Sequence, residues 1–186
     1  MGIVVMVDID EYVSKHTLVS RDECPSIIEQ LEHGADWQPH EWYSHMEDTE
    51  HELNDFSVTA HNDICDRFQS VIEDELLVYA HTKMGKFPQH FFNTNMRFNK
   101  YAVGEGIREH VDHIHSIFDS HPAGIPVLSM VGCFNDDYEG GVFHLCDKPI
   151  DIEAGEFIIF PSLFIYPHYV TPVTKGHRYS WVSWAC

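Results

Sequence analysis

The feature that most constrains the fold of this chain is a change in residue composition and periodicity near residue 91. From there to the C-terminus, short runs rich in β-branched and aromatic residues alternate with turns built from Gly, Pro, Asn and Asp. No helical pattern separates these runs. Strands in this arrangement indicate a β-sandwich or barrel and argue against a βαβ fold. The predicted strands are 94–103, 126–134, 142–146, 156–160, 167–173 and 177–185.

The first half of the chain has a different character and contains two predicted helices. Residues 20–23 (Ser-Arg-Asp-Glu) match a capping box, and the apolar residues that follow at helical spacing predict a helix over 21–33. A longer apolar stripe of period 3.6 predicts the longest helix over 62–83, ending at Gly85. Both helices are expected to pack against one sheet. Apolar residues 3–7 predict an additional first strand.

The segment between the two helices, residues 36–58, combines Trp, His and acidic residues without a clear period. A solvated acidic loop is one interpretation. A lid over the functional site is the other, because long loops in compact domains are often functional. In that case Trp37, Trp42 and Tyr43 are expected to contact the substrate.

Length and charge bound the domain organisation and the partners. The 186 residues fit one domain (1–186), with an N-terminal part (1–93) and a β-rich core (94–186), large enough to bury roughly 70% of its unfolded surface. There are 30 acidic and 11 basic residues, giving a net charge of -19. Because nucleic-acid binders neutralise phosphates with Lys and Arg, this charge argues against a nucleic-acid partner. No apolar run is long enough to span a bilayer, so we expect no membrane partner.

The cysteines indicate a cellular compartment. They are odd in number, widely separated and free of any Cys-x-x-Cys spacing. Unpaired thiols in a reducing environment are the expected state of such residues. We therefore expect a cytoplasmic location.

Candidate metal ligands occur where a His is followed two places later by an acid. With 15 His and 30 acids the pattern is expected by chance, and it occurs at His45/Glu47, His61/Asp63 and His110/Asp112. Only His110/Asp112 follows a predicted extended segment, and continuation of that strand would place both side chains on one side. His61/Asp63 instead begins the long helical pattern, where an acid is favoured by the helix dipole.

A second imidazole is available at His168, in the β-rich half of the chain. Two His and one Asp make a facial triad, which suits non-haem Fe(II) because it leaves positions open for a chelating co-substrate and for dioxygen. His113 and His115 are alternatives in principle to His110. They are expected at the surface or behind the ligands.

Arg178 is the candidate for binding an anion. It lies on the last predicted strand, whose alternation puts Arg178 and Ser180 on one face. A buried arginine requires an anion, and its planar fork is best matched by a carboxylate. An internal salt bridge is the alternative interpretation.

Four segments of the β-rich half carry a family resemblance. They are 101–112 (Tyr-Ala-Val-Gly-Glu-Gly-Ile-Arg-Glu-His-Val-Asp), 134–141 (Phe-Asn-Asp-Asp-Tyr-Glu-Gly-Gly), 155–162 (Gly-Glu-Phe-Ile-Ile-Phe-Pro-Ser) and 168–180, which includes Thr171-Pro172-Val173 and Arg178. In order and spacing they resemble the Fe(II)/2-oxoglutarate-dependent oxygenases of the prolyl 4-hydroxylase type. The resemblance covers roughly residues 95 to 184.

The resemblance implies a mainly β fold, a double-stranded β-helix (jelly roll, cupin-like) with N-terminal helices packed on one sheet. It implies Fe(II) held by His110, Asp112 and His168, and 2-oxoglutarate as co-substrate, with dioxygen as the oxidant and ascorbate as a further cofactor. Arg178 would hold the distal carboxylate of 2-oxoglutarate, with Tyr101 and Ser180 as additional donors.

The chain departs from some relatives at two places. A Tyr that they have before the Asn135 position is replaced by Cys133 or Phe134, and a Tyr three residues before the first ligand is replaced by Ile107. The remaining donors to the co-substrate are therefore open. Gly140-Gly141 has a simple interpretation as the turn that opens the next strand, without a chemical role.

The resemblance implies hydroxylation of an unactivated C–H, and the order of the four segments favours a prolyl residue in a protein or peptide. Trp37, Trp42 and Tyr166 are aromatic surfaces of the type that accept proline-rich segments, whereas Tyr166 and Tyr169 could equally fill the mouth of the barrel. An oxygenase acting on a free amino acid or another small molecule is the first alternative. A non-catalytic jelly-roll binding module is the second.

Overall fold

The computed structural model describes residues 8–40, 56–85, 93–112 and 125–186. Its two α-helices lie in the first half of the chain and are α1 (Cys24–Gly34) and α2 (Asn62–Tyr79). Short 3₁₀ segments occupy Ile9–Tyr12 and Arg21–Glu23, and a π-helical segment occupies Ala80–Met84. The strands are β1 (Ser14–Thr17), β2 (Gln38–Pro39), β3 (Ser57–Thr59), β4 (Arg97–Tyr101), β5 (Ile107–His110), β6 (Leu128–Cys133), β7 (Glu139–Gly140), β8 (Phe143–Leu145), β9 (Lys148–Ile150), β10 (Glu156–Pro161), β11 (His168–Val170), β12 (Val173–Lys175) and β13 (Arg178–Ala185).

The strands form two facing sheets and a small third one. The main sheet has seven strands in the order β1-β10-β6-β13-β4-β3-β2, and the minor sheet has four in the order β5-β11-β8-β9. Strands β12 and β7 form the third sheet. The named strand pairs are antiparallel. The predicted double-stranded β-helix, mainly β with helices on one sheet, is confirmed.

The predicted helices are present, with local differences at their ends. Residues 21–23 are 3₁₀, and the Ser20 hydroxyl bonds the Glu23 carboxylate at 2.7 Å instead of capping a backbone N–H. Helix α2 passes into the π-helical segment before the chain turns at Gly85, whose φ of 68° favours glycine. The predicted strand over residues 3–7 lies outside the described residues.

The predicted strands are found in shorter form, and one is divided. The run 94–103 is paired over Arg97–Tyr101, and the run 167–173 contains β11, a break, and the first residue of β12. Strands β1, β2, β3, β5, β7 and β9 lie outside the predicted runs, because strands of two to four residues carry little pattern.

The helix-side face of the main sheet carries one of the two cores. Alternate residues of its central strands point toward the helices, where they meet the apolar stripes of α1 and α2. The fully buried members from the sheet include Phe98, Met130, Phe157 and Trp181. In the described ranges, neither helix is both long and apolar enough to span a membrane.

The inner face of the main sheet packs against the minor sheet and forms the second core. Tyr101, Val131, Cys133, Ile158 and Phe160 come from the main sheet, and they meet apolar residues of β5, β8 and β11. On β13 the residues 178, 180, 182 and 184 share this inner face, since Trp181 belongs to the helix-side core. The fold therefore directs Arg178 and Ser180 into the space between the sheets.

Candidate active site

Three candidate metal ligands meet at one end of the space between the sheets. His110 ends β5 and His168 begins β11, and the two residues are direct partners in the antiparallel pairing of these strands. Asp112 follows two residues after His110. The ligand atoms of the three side chains lie within 4.8 Å of one another, and no other such group of His, Cys, Asp or Glu occurs in the described ranges.

The route by which Asp112 reaches this cluster differs from the prediction. Strand β5 ends at His110, and the chain bends at Asp112, so the two residues do not share a continuing strand. The bend still brings the carboxylate to both imidazoles, at 3.6 Å from His110 Nε2 and 3.5 Å from His168 Nε2. These separations exceed ordinary hydrogen-bond lengths. They suit three ligands arranged around an ion on one side.

Backbone carbonyls fix the tautomer of both imidazoles. His110 Nδ1 lies 2.9 Å from the carbonyl of Arg108, and His168 Nδ1 lies 3.1 Å from that of Tyr166. Because a carbonyl only accepts, each Nδ1 donates its proton, which leaves each Nε2 lone pair directed at the cluster. Burial and the neighbouring His168 lower the pKa of His110 to about 4, so this imidazole is neutral and able to ligate at neutral pH.

Asp112 is held by donors from the main sheet. The Ser129 hydroxyl donates to Asp112 Oδ2 at 2.6 Å and also contacts the Ser162 hydroxyl at 2.7 Å. The side chain of Trp184 is near enough to Asp112 to help lower its pKa. Burial acts to raise the pKa of Asp112, but the imidazoles of His168 and His110 and these donors outweigh it and lower the pKa. The carboxylate is therefore charged, as a metal ligand must be.

Arg178 lies on the same inner face and has no acidic partner among the described residues. Its side chain is only 1% exposed. One terminal nitrogen donates to Ser180 Oγ at 2.7 Å and the other to Cys133 Sγ at 3.2 Å, while Nε is buried without an acceptor. The guanidinium lies 5.1 Å from the centre of the Tyr101 ring. An internal salt bridge is thus absent from the described part of the chain, and a buried cation in this state is suited to an exogenous carboxylate.

The residues around Arg178 include candidates for the remaining hydrogen-bond donors to the co-substrate, which the sequence did not identify. Cys133 faces Arg178, whereas Phe134 belongs to the helix-side core. Burial raises the pKa of Tyr138 to about 12, and both Cys133 and Arg178 are near enough to influence it. Burial likewise raises the pKa of Tyr101. Both phenols therefore remain protonated and able to donate a hydrogen bond to an anion.

Gly141 has a steric role that the sequence interpretation missed. Its φ is +59°, and a Cβ there would lie 3.1 Å from both Arg178 Cδ and Tyr138 Cε2 and 3.0 Å from Val173 Cγ2. Any side chain would press on the arginine. The Gly140-Gly141 turn therefore also makes room for the anion-binding residue.

Some predicted aromatic contacts are not placed at the site. The ring centroid of Trp37 lies 6.4 Å from that of Tyr179, on the opposite side of the main sheet from Arg178, and its contact with substrate stays a prediction. Tyr166 is buried in the inner core and fills the barrel. Tyr169 stacks on His144 with a centroid separation of 4.6 Å. Trp42, Tyr43, His45, Glu47, His113 and His115 lie outside the described residues.

The ends of the predicted lid can be placed, although residues 41–55 are not described. The backbone N–H of His40 donates to the carbonyl of Phe56 at 2.8 Å, and the two rings stack. Phe56 stacks in turn on Tyr101, with ring centres 4.4 Å apart. Both ends of the segment are thus anchored beside Tyr101 and Arg178. The lid itself stays a prediction.

Sequence reasoning missed Ser129, Tyr138, Trp184 and Arg97 as residues of this region. Strand alternation contained a signal for two of them, since Trp184 has the same parity as Arg178 on β13 and Arg97 the same parity as Tyr101 on β4. Ser129 lies within the mostly apolar strand β6, so its sequence context did not indicate a polar role. Tyr138 lies in a turn, where no periodicity operates.

In sequence, the chain is similar to known oxygenases and hydroxylases. Residues 96–186 match the family model described as 2OG-Fe(II) oxygenase superfamily. A PKHD-type hydroxylase of Methylobacillus flagellatus is 33% identical over 94 residues, covering 47% of this chain and 40% of the relative. One of Alteromonas mediterranea is 30% identical over 107 residues, covering 54% of this chain and 46% of the relative. The chain spans less than half the length of these curated relatives.

Solved structures show the same fold at low sequence identity. A Pseudomonas putida prolyl-4-hydroxylase has a TM-score of 0.65 at 17% identity, covering 93% of this chain and 91% of that chain. A Trichoplax adhaerens prolyl hydroxylase, in complex with a hypoxia inducible factor oxygen degradation domain peptide fragment, has a TM-score of 0.68 at 15% identity, covering 94% and 83%. A viral collagen prolyl hydroxylase from Paramecium Bursaria Chlorella virus-1, in its 2OG complex, has a TM-score of 0.64 at 16% identity, covering 94% of each chain.

Proposed function

We propose that the chain is a 2-oxoglutarate/Fe(II) dioxygenase of the prolyl 4-hydroxylase type that hydroxylates a prolyl residue in a protein or peptide. The match of residues 96–186 to the 2OG-Fe(II) oxygenase superfamily and the likeness to PKHD-type hydroxylases support this proposal. One observation carries this proposal. The cluster of His110, Asp112 and His168 and a buried Arg178 without an acidic partner among the described residues lie in the same space between the sheets. A binding module without catalysis would not need both.

Each residue has a defined task in this proposal. His110, Asp112 and His168 would hold Fe(II), since two imidazoles and one carboxylate form a ligand set that leaves coordination positions open for a co-substrate and dioxygen. Arg178 binds the distal carboxylate of 2-oxoglutarate, and Tyr101 and Ser180 are its neighbours for additional hydrogen bonds. When bound, the metal and co-substrate supply the oxidation, in which 2-oxoglutarate and O₂ give succinate, CO₂ and one oxygen atom in the substrate C–H bond.

The prolyl substrate is supported by the relatives and by the charge of the chain. The structural neighbours include prolyl hydroxylases, one of them in complex with a peptide fragment. The net charge of -19 disfavours a nucleic-acid substrate. Extended proline-rich peptides lose little entropy on docking because they are already ordered.

The first test is turnover of the co-substrate alone. Purified protein given Fe(II) and 2-oxoglutarate in air should form succinate slowly without any substrate, and 2-oxoglutarate should bind anaerobically only when metal is present. Absence of both binding and turnover would leave the non-catalytic binding module as the better function. Parallel reactions with and without ascorbate test that cofactor, which stays a prediction, as does a cytoplasmic location.

The second test addresses the substrate. Proline-containing peptides and free L-proline are incubated separately with the loaded protein, and mass spectrometry measures the gain of one oxygen atom. Hydroxylated peptide supports the proposal. Oxidation of free L-proline with the peptides untouched would move the assignment to the small-molecule alternative.

A further inference from the structure

Some of the basic residues of this acidic chain form ion pairs with acids, and others do not. Six of its lysines and arginines form ion pairs with acids, namely Lys15, Arg21, Arg67, Lys100, Lys148 and Lys175. Arg178 and Arg97 form no ion pair with an acid of the described residues, although acids outnumber bases 30 to 11 and Asp112 is near enough to act on the pKa of Arg97. Both lie on the inner face of the main sheet, Arg97 on β4 and Arg178 on β13. Arg178 is already assigned to 2-oxoglutarate, so Arg97 requires its own explanation.

Arg97 is held in place but keeps its hydrogen-bonding ends available. Its Nε donates to Asn99 Oδ1 at 3.2 Å, and its guanidinium lies 5.3 Å from the centre of the Trp184 ring. No described residue accepts a hydrogen bond from either terminal nitrogen. The side chain is half-buried, and burial lowers the pKa of Arg97 without removing its charge. This arrangement presents a fork of donors with a fixed direction, which suits a carboxylate.

The position of Arg97 is close to the metal and distinct from the site of Arg178. Arg97 lies over the ring of Trp184, and it is near enough to the metal-binding residue Asp112 for that carboxylate to act on the pKa of the guanidinium. Arg178 instead pairs across the strands with Tyr101, four residues further along β4 than Arg97, or about 13 Å of strand. The two guanidiniums therefore serve two different anions. The one at Arg97 is next to the place where a substrate must present its C–H bond.

We propose that Arg97 binds a carboxylate of the primary substrate, so that the hydroxylated prolyl residue is flanked by Asp or Glu. This inference rests on the proposed function and adds a specificity-determining residue to it. The net charge of -19 repels an acidic peptide at long range, but salt screens that repulsion beyond about 8 Å at physiological ionic strength. A half-buried contact with Arg97 is screened much less.

The experiment compares matched peptides that differ in one charge. Acetylated, amidated peptides with Glu before or after a single Pro, and the same peptides with Gln, are titrated into protein loaded with Mn(II) and 2-oxoglutarate at 0.15 M salt. Wild type should bind the better Glu peptide about tenfold more tightly than its Gln counterpart, because a charged acceptor strengthens the hydrogen bonds. Arg97→Gln should reduce that ratio to about one. Arg97→Lys should retain part of it, since the charge remains and the fork is lost.

A control removes the same charge elsewhere. Lys83 lies in the π-helical segment that follows α2 and has no ion pair among the described residues, so Lys83→Gln changes the net charge equally and should preserve the preference for Glu. The affinity for 2-oxoglutarate is measured in parallel. A large loss of that affinity in Arg97→Gln would assign Arg97 to the metal and co-substrate and overturn the inference.

The remaining outcomes separate this inference from the function on which it rests. Equal binding of Glu and Gln peptides to wild type, or a preference that survives Arg97→Gln, would overturn the role of Arg97 alone. Failure of every peptide to bind, while 2-oxoglutarate is still converted to succinate, would overturn the prolyl substrate and the inference with it. A preference for Glu that disappears only in Arg97→Gln would support both.

Discussion

Arg178→Met should have opposite effects on the metal-free protein and on the loaded protein. In the metal-free protein Arg178 is a buried charge with no acidic partner among the described residues; it donates hydrogen bonds to Ser180 and Cys133 and lies over the ring of Tyr101. Methionine has a similar length and no charge. The substitution should therefore raise the stability of the metal-free protein while it weakens the binding of 2-oxoglutarate.

The magnitude follows from the contacts that are lost. An uncompensated buried charge costs about 3 to 5 kcal/mol, and the hydrogen bond from the guanidinium to Ser180 returns about 1.5 to 3 kcal/mol. The bond to Cys133 is weaker because sulfur is a poor acceptor. The net gain on removing the charge is about 1 to 2 kcal/mol, which for a chain of this size raises Tm by about 2 to 8 °C.

The loss of binding free energy for 2-oxoglutarate should be larger than the gain in stability of the metal-free protein. Removing one member of a buried charge pair costs about 2 to 5 kcal/mol of binding. At about 1.4 kcal/mol per tenfold, the dissociation constant of 2-oxoglutarate should rise by about 30-fold or more. Ligand binding stabilises the folded protein by RT ln(1 + [L]/Kd), so at a 2-oxoglutarate concentration near the wild-type dissociation constant the thermal shift should largely disappear in the variant.

The assay is thermal unfolding of wild type, Arg178→Met and Arg178→Lys, each metal-free and each with Mn(II) and 2-oxoglutarate. Arg178→Lys is the matched control because it keeps a buried charge and should gain no stability. A lower Tm for metal-free Arg178→Met would show that the arginine is already compensated in the protein. An undiminished thermal shift by 2-oxoglutarate would show that its carboxylate binds elsewhere.

Three further predictions concern the ligands and the glycines of the core strands and turns. Asp112→Ala should abolish succinate formation, whereas Asp63→Ala, on the chance copy of the motif in α2, should preserve it; activity in Asp112→Ala would refute the ligand assignment. Gly141→Ala should weaken 2-oxoglutarate binding about tenfold or more in a titration, because its Cβ would press on Arg178 Cδ at 3.1 Å; unchanged affinity would contradict this. Gly132→Ala should lower the unfolding free energy by about 3 kcal/mol or more in denaturant melts, since its Cβ would overlap the side chain of Trp181, and an unchanged midpoint would show that Trp181 can move.

The inner face of the site could be predicted from the sequence because strand alternation has a fixed period. Arg178 and Ser180 were assigned to one face on this basis, and the structure places both in the inner space. The same rule predicted that His110 and Asp112 lie close together, which the structure shows, but for the wrong reason. The strand ends at His110, and a bend at Asp112 brings its carboxylate to the imidazole.

Other features of the site depend on contacts that no local pattern encodes. The carbonyls of Arg108 and Tyr166 fix the two imidazoles, but every residue has a carbonyl, so sequence does not single these out. Cys133 meets Arg178 across 45 residues of chain. The sequence predicted only a turn at Gly141. It did not predict the contact with Arg178, because residues 141 and 178 are brought together by the tertiary fold.

The alternation of β13 also divides the protein into two surfaces that can be engineered separately. Trp181 and its neighbours toward the helices determine how firmly the scaffold holds together, while Val182 and Trp184, on the other face, border the reaction space. Substitutions on opposite faces share few partners, so their effects on stability should add. A library confined to Arg97, Val182 and Trp184 can thus explore new substrates against a scaffold that has first been strengthened around Trp181.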